Sequence, residues 1–180
     1  ENIFFDQSAG NTLWSKSESG KKLLEFDDKL NQISSDNKFL ISVFNQNQIA
    51  WHPPTLWIGI GCERNTSKQF IEEALLNFLN QEGLSPLSIA GLATAEIKKD
   101  EIALLAISKE NKWPIMFFSS KELCKIKVPN PSEIVLREIG SGSVAEAASI
   151  LAAGKGGRLI REKKVFQSKN YSNHFSGAVT

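Results

Sequence analysis

An apolar strand, two glycines and the start of a helix follow one another in TLWIGIGCERNTS, residues 55–67. Gly59 and Gly61 carry no Cβ, so a ligand or a packed helix can approach the backbone closely there. Thr66 followed by Gln69 has the spacing of a capping box, which predicts that a helix begins at this point. The amides and the positive dipole end of that helix face the preceding loop, which favours a site for a negatively charged ligand.

Two other interpretations of the glycines stay open. The dinucleotide-binding fingerprint G-x-G-x-x-G needs a third glycine, and Arg64 occupies that position. The isolated G-x-G pattern is therefore weak support for NAD or FAD binding in an unrelated nucleotide-binding α/β domain. The other alternative is purely structural, with glycines that let a helix pack closely on the strand.

Composition and charge exclude several classes of function. The chain has 180 residues with 21 Lys and Arg against 20 Asp and Glu, and its aromatic residues are not interleaved with basic runs, so we expect no nucleic-acid partner. No apolar stretch reaches membrane-spanning length and residues 1–4 do not resemble a signal peptide, so we expect no membrane association. Cys62 and Cys124 lie far apart without partner motifs, which favours thiols in a reducing compartment and predicts a cytoplasmic protein.

Residues 1–53 differ in composition from the rest and are rich in Asn, Gln, Ser, Lys and Asp. A strand is predicted over 39–44, paired with a short run near residues 49–50, and residues 15–22 are predicted as a loop. His52-Pro53-Pro54 is a stiff joint, because consecutive prolines continue neither a helix nor a central strand. We therefore predict a domain boundary here, with a partial domain over 1–53 and a full domain over 54–180.

Strand and helix patterns alternate after residue 55, which predicts a layered α/β fold with a mainly parallel or mixed sheet flanked by helices. Asp100 and Glu101 are placed in the first turn of one helix, and Ser119 with Glu122 forms a capping box at the start of another. The two last segments of the chain predict antiparallel strands near the C-terminus. The predicted helices cover 67–82, a segment after Asp100, 132–139 and 144–153, and the predicted strands cover 56–61, 88–95, 114–118, 158–169 and 177–180.

Several motifs in the same order resemble the CobE/CbiG C-terminal domain family of cobalamin biosynthesis. GIGCERNT at 59–66 is similar to the "GIGC-R-x-T" opening of that family, and LATAEIKKDE at 92–101 to its second-strand motif. FFSSKEL at 117–123, VPNPS at 128–132 and the run from Gly140 to Ala148 resemble its "FFS-x-x-EL", "VPNPS" and "G-x-x-SVAEAA" segments. The resemblance runs from about residue 56 to 179, and AGNTLW at 9–14 is similar to the central region of the longer CbiG proteins.

The resemblance implies a role in hydrolysis of cobalt-precorrin-5A, in which a lactone opens and a two-carbon fragment leaves as acetaldehyde. The longer relatives also carry an N-terminal domain with a "TGHxGGAN" motif, which this chain lacks. The short CobE proteins imply an alternative, a non-catalytic module that binds or carries the tetrapyrrole. The implied partners are the cobalt-precorrin tetrapyrrole and other corrin-pathway enzymes such as a precorrin methyltransferase. No cofactor of its own is implied, because the cobalt arrives with the substrate.

A precorrin carries many acetate and propionate arms, so its site should offer amides, hydroxyls and cations. The residues that we expect to bind it are Gly59, Gly61, Cys62, Arg64, Thr66, Ser67, Lys98, Ser132, Ser143 and Glu146. Lys99 adds charge, and Glu63, Glu96 and Glu101 are the candidate catalytic bases, among which the sequence does not choose.

Structural alternatives stay open for several of these residues. Ser143 with Glu146 has capping-box spacing, and Ser132 after a proline suits an N-cap. Cys62 is a candidate nucleophile or a half-buried thiol. The two histidines have no metal-ligand spacing with the cysteines, so we expect no metal site in the protein.

Overall fold

The computed structural model describes residues 4–22, 38–45, 50–131, 143–168 and 174–179. The chain divides into two compact units. The first comprises Glu1–Thr55 with Gly83–Ser88, and the second comprises Leu56–Glu82 with Ile89–Thr180. The predicted helix over 132–139 and the predicted site residue Ser132 lie outside the described residues.

A small parallel sheet forms the first unit. Its strands, in spatial order, are β1 (Phe4–Gln7), β2 (Lys38–Ile41) and β3 (Ala50–Trp51). The pairing of β2 with β3 confirms the predicted strand and its predicted partner, although the strand ends earlier, at Ile41.

The prediction of a loop over 15–22 is wrong. Leu13–Lys16 is a 3₁₀ helix and residues 18–22 are helical. Ser17 explains the helical turn, because its Oγ accepts a hydrogen bond from the Gly20 amide at 3.0 Å and its carbonyl accepts one from Lys21. A side-chain oxygen three residues before an amide is the usual N-cap arrangement.

A five-stranded mixed sheet forms the second unit, with the spatial order β6-β5-β4-β8-β7. Strands β4, β5 and β6 are parallel, β8 is antiparallel to β4, and β7 is antiparallel to β8. This arrangement confirms the predicted α/β class and the antiparallel strands near the C-terminus. The strands are β4 (Leu56–Cys62), β5 (Ile89–Ala95), β6 (Ile115–Phe118), β7 (Arg161–Gln167) and β8 (His174–Val179).

Within the part of the chain that the structure describes, four helices accompany this sheet: α1 (Lys68–Gln81), α2 (Ile102–Asn111), α3 (Ser120–Leu123) and α4 (Val144–Ala153). A 3₁₀ turn over Glu96–Lys98 joins β5 to α2, and another, Pro86–Ser88, belongs to the first unit. The predicted capping box of Ser119 with Glu122 at α3 is confirmed. Among the described residues, no helix combines the length and the apolarity that crossing a bilayer requires.

Two of the predicted helix starts are wrong by one or two residues. The N-cap of α1 is Ser67 and not Thr66, because the Ser67 Oγ accepts from the Phe70 amide while the Thr66 hydroxyl donates to the Glu63 carbonyl at 2.9 Å. Asp100 and Glu101 precede α2 and do not lie in its first turn, because Glu101 is the N-cap. Thr66 therefore bonds within the loop before α1. Asp100 and Glu101 bond to that same loop from the segment before α2.

Helix α4 lies almost directly on the backbone of the central strand β4. A Cβ added to Gly59 would stand 1.8 Å from the Ala145 carbonyl oxygen, so only glycine permits this approach. Ala93 of β5 and Ala147 of α4 continue the contact with small, fully buried side chains. The structure therefore supports the packing interpretation of Gly59.

The opposite face of the sheet is covered by α1 and α2, which pack against each other. Strands β4, β5 and β6 are neighbours in the order in which they follow one another along the chain, and right-handed crossovers join them. The two crossover helices therefore lie on the same face of the sheet. Side chains alternate along β4, so Ile58 and Ile60 face this layer when Gly59 faces α4. Among the described residues of the second unit, the largest fully buried side chains are Leu56, Ile58, Ile60, Ile71, Phe78, Leu79, Leu92, Leu104, Ile107 and Leu123.

Gly59→Ala should lower the free energy of unfolding by about 3 kcal/mol or more, because the new methyl group overlaps a helix backbone atom that has no flexible way to move aside. Denaturant unfolding measures the loss. Gly83→Ala is the contrast: Gly83 has φ +64° but open space around its Cβ, so its cost should be about 1 kcal/mol. Equal losses in the two variants would contradict the close packing of α4 on β4.

Candidate functional site

The carboxyl ends of the three parallel strands open onto a cavity. Strands β4, β5 and β6 end at Cys62, Ala95 and Phe118, and open α/β sheets bind ligands outside such ends. The cavity has a volume of about 420 Å³ and opens to solvent. It is lined by Arg64, Glu96, Ile97, Lys99, Asp100 and Ser120.

Arg64 joins the loops that follow β4 and β5. Its Nη1 donates to the Asp100 carboxylate and its Nη2 donates to the Ile97 carbonyl. The hydrogen bond from Arg64 lowers the pKa of Asp100, and the same bond raises the pKa of the guanidinium. Arg64 therefore stays charged at the mouth of the cavity, with part of its fork of donors already engaged.

Glu101 lies beneath this pair and is 4% exposed. Its Oε1 accepts a hydrogen bond from the Asn65 amide at 2.9 Å. Its Oε2 lies 3.9 Å from Arg64 Nη1 and 3.9 Å from Lys98 Nζ. A carboxylate with these partners is held by its surroundings and does not line the cavity.

Cys62 ends β4 beside the same charged groups. Burial raises the pKa of its thiol to about 11, and the nearby Lys98 ammonium offsets part of that shift. The thiol is therefore neutral at pH 7, whereas nucleophilic attack needs the thiolate. This favours the half-buried structural interpretation of Cys62 over the nucleophile.

The structure separates the three candidate bases. Glu96 is exposed and lines the cavity, Glu101 is buried and engaged, and Glu63 is exposed on the loop after β4. Gly61 lies within β4 and pairs with β8. Of the predicted carboxylates, Glu96 is thus the one whose position suits contact with a bound molecule.

Ser143 and Glu146 belong to a second polar cluster, at the start of α4. Glu146 is fully buried and its carboxylate accepts from the Asn130 amide at 3.1 Å, from the Asn130 side-chain nitrogen at 2.8 Å and from the Lys163 amide at 3.0 Å. Glu162 accepts a further bond from the Asn130 side chain, and the Ser143 Oγ accepts from the Glu146 amide. These contacts tie the loop before α4 to β7, and their partners are all within the protein.

Residues 56–180 match the family model described as "Cobalamin synthesis G C-terminus". The chain belongs to this family. The match includes all three parallel strands of the second unit and every residue that lines the cavity. The family that the sequence motifs resemble is thereby confirmed.

Two relatives of this cobalamin-synthesis family and one solved structure of similar fold extend the comparison. The cobalt-precorrin-5A hydrolase of Priestia megaterium is 34% identical over 119 residues, which cover 66% of this chain and 32% of that protein. The chain thus spans about a third of the length of that relative. The crystal structure of CobE, described as a protein from the cobalamin (vitamin B12) biosynthetic pathway, is 30% identical with a TM-score of 0.60 and covers 69% of this chain and 93% of its own.

A further solved structure is similar in fold alone. It is a cobalamin biosynthesis protein G homolog from Sulfolobus solfataricus, with a TM-score of 0.52 and 16% identity. The comparison covers 99% of this chain and 51% of the other.

Sequence reasoning missed three residues that line the cavity, Ile97, Asp100 and Ser120. Each lies within five residues of the end of β5 or β6. A search of the segments that follow the parallel strands would therefore have found them. Sequence reasoning also missed Asn130, because its role depends on a hydrogen bond to Glu146, sixteen residues later in the chain. Among the described residues, no group of three or more His, Cys, Asp or Glu side chains is arranged to hold a metal ion.

Glu146→Gln should lower the free energy of unfolding by about 3 kcal/mol, because the new amide group places a donor against the donors of Asn130 and Lys163 in a buried site. Denaturant unfolding is the measurement. Glu162→Gln is the matched control, since Glu162 is exposed and accepts from the same Asn130 side chain, and its cost should be below about 1 kcal/mol. A large loss in the control alone would contradict the buried cluster.

Proposed function

We propose that this chain acts in cobalamin biosynthesis as the C-terminal part of a cobalt-precorrin-5A hydrolase and binds the macrocycle at the cavity beside Arg64. The observation that carries the proposal is the position of this cavity, at the carboxyl ends of β4–β6 and wholly within the segment that matches the family. The names of the relatives support the pathway and the reaction. The substrate supplies the cobalt, the protein needs no cofactor of its own, and its place of action is the cytoplasm.

The cavity suits a ring that carries carboxylate arms. The Arg64 side chain is 47% exposed, so it keeps donor groups for a ligand after pairing with Asp100 and Ile97. Lys99 adds a second cation on the cavity wall. The exposed Ile97 side chain offers an apolar contact for the macrocycle between these charges. Charge-assisted bonds to carboxylates then orient the ring.

Glu96 is the carboxylate that we assign as the general base. Glu96 takes a proton from a water molecule, whose oxygen adds to the lactone carbonyl, and the carbonyl oxygen takes up negative charge. The carbonyl then re-forms as the ring carbon–oxygen bond breaks, and Glu96 returns its proton to the leaving oxygen, which becomes a free hydroxyl group. Arg64 and Lys99 stabilise the developing oxyanion. When the freed hydroxyl loses its proton, its oxygen forms the carbonyl of acetaldehyde, the adjoining carbon–carbon bond breaks, and the electron pair of that bond passes into the conjugated macrocycle.

A second candidate is a non-catalytic module that binds or carries the tetrapyrrole, alone or with another enzyme of the pathway such as a precorrin methyltransferase. Two observations favour it. The match covers 93% of CobE, so a protein consisting almost wholly of this domain acts in the pathway. In addition, two of the three candidate bases, Glu63 and Glu101, do not line the cavity.

Arg64→Ala should weaken the binding of cobalt-precorrin-5A by about 10-fold to 100-fold, because charged hydrogen bonds to a carboxylate arm are lost. An absorbance titration of the macrocycle measures the dissociation constant. Arg158→Ala, which removes an exposed arginine that does not line the cavity, should leave it unchanged. A wild-type chain that does not bind the macrocycle would remove both candidate functions, and an unaffected Arg64→Ala variant would remove this site.

Acetaldehyde release separates the two candidates. The wild-type chain is incubated with cobalt-precorrin-5A, alone and with the N-terminal region of a longer relative, and acetaldehyde is assayed. If Glu96 is the base, Glu96→Gln should lower the rate by about 10²-fold or more while binding stays close to that of wild type. Glu110→Gln, an exposed carboxylate of α2 outside the cavity, is the control. Binding without acetaldehyde in either mixture would establish the carrier.

A further inference from the structure

Two consecutive acidic residues hold two consecutive residues of a distant loop. Asp100 accepts from the Arg64 guanidinium, and Glu101 accepts from the Asn65 amide at 2.9 Å. We call these four residues, Arg64, Asn65, Asp100 and Glu101, the acidic clasp. The clasp joins the loop after β4 to the segment before α2, and two of its members line the cavity.

The Glu101 side chain contacts the distant loop and does not cap its own helix. It is the N-cap residue of α2, yet its side chain accepts no hydrogen bond from the amides of that helix. Its Oε1 reaches instead to Asn65, 36 residues earlier in the chain. The Glu101 carboxylate therefore stabilises the loop that carries Arg64 and does not cap helix α2.

The residue that Glu101 holds has an unusual backbone conformation. Asn65 has φ +58°, in the left-handed region that residues other than glycine rarely adopt. The turn that contains Asn65 sets the direction in which Arg64 leaves the loop. A hydrogen bond to the Asn65 amide therefore fixes the course of the backbone next to the guanidinium.

Burial shields the Glu101 contacts from solvent, whereas the neighbouring Asp100–Arg64 pair is not shielded. Asp100 is 69% exposed, so water and salt screen its pair with Arg64. Glu101 is 4% exposed and lies 3.9 Å from both Arg64 Nη1 and the largely buried Lys98 Nζ. The negative charge of Glu101 thus acts on Arg64 from the buried side, and the exposed side of the guanidinium lines the cavity.

We propose that Glu101 is a positioning residue, which holds the Arg64–Asn65 turn so that the guanidinium meets a carboxylate arm of the macrocycle, and that it is not the base. This inference rests on the proposed function. It follows that Glu101 affects binding only through Arg64. Its removal should cost affinity when Arg64 is present and almost nothing when Arg64 is absent.

A double-mutant cycle tests this dependence. The variants are Glu101→Ala, Arg64→Ala and the two together, and the dissociation constant of cobalt-precorrin-5A is measured by absorbance titration. We expect Glu101→Ala to weaken binding about 10-fold in the wild-type background and less than about twofold in the Arg64→Ala background. Glu101→Gln, which keeps an acceptor oxygen for the Asn65 amide, should recover most of the affinity. Glu101→Asp, whose carboxylate is one methylene shorter and no longer reaches that amide, replaces Glu101→Ala in the cycle if that variant does not fold.

The outcomes separate this inference from the function on which it rests. A wild-type chain that does not bind cobalt-precorrin-5A removes the proposed function itself. If Glu101→Ala weakens binding equally in the wild-type and Arg64→Ala backgrounds, or does not weaken it at all, the positioning role alone is overturned. A merely structural Glu101 would lower the unfolding midpoint without changing affinity. Glu110→Gln, the same kind of substitution on the same helix, should leave the dissociation constant unchanged.

Discussion

The second unit depends on the contact between α4 and the backbone of β4. Because Gly59 has no side chain, the Ala145 carbonyl oxygen occupies space that any Cβ would fill. This approach keeps the helix close enough for the small residues of β5 and α4 to exclude water between them. With one face of the sheet closed in this way, the carboxyl ends of β4, β5 and β6 stay side by side, and the loops that they carry form one cavity.

Buried carboxylates connect distant parts of the chain at two places. Glu101 binds the loop after β4 from the start of α2, and Glu146 binds the segment before α4 and the strand β7. Both carboxylates accept backbone amides, which satisfies the charge without exposing it. They differ in position: Arg64 beside Glu101 lines the cavity, whereas Asn130 and Lys163 beside Glu146 do not.

Much of the fold could be predicted because its signals are local. The strand that ends at Cys62, the helix after Ser67 and the capping box at Ser119 depend on residues within a few positions of one another. The predicted cap at Thr66 was wrong for a reason of the same kind, since two adjacent hydroxyl residues compete for one role. Arg64 was predicted because it replaces a glycine in a familiar pattern.

The sequence by itself determined the family and, in the second unit, the order of strands and helices along the chain, because motifs and hydrophobic periodicity are read within short windows. Only the tertiary structure decided where each candidate carboxylate lies and what it contacts. Glu96 and Glu101 stand five positions apart, on either side of Lys98 and Lys99, yet one lines the cavity and the other is buried and bonded to the Asn65 amide. Burial and long-range pairing are set by how the chain is packed, and neither can be read from neighbours in sequence.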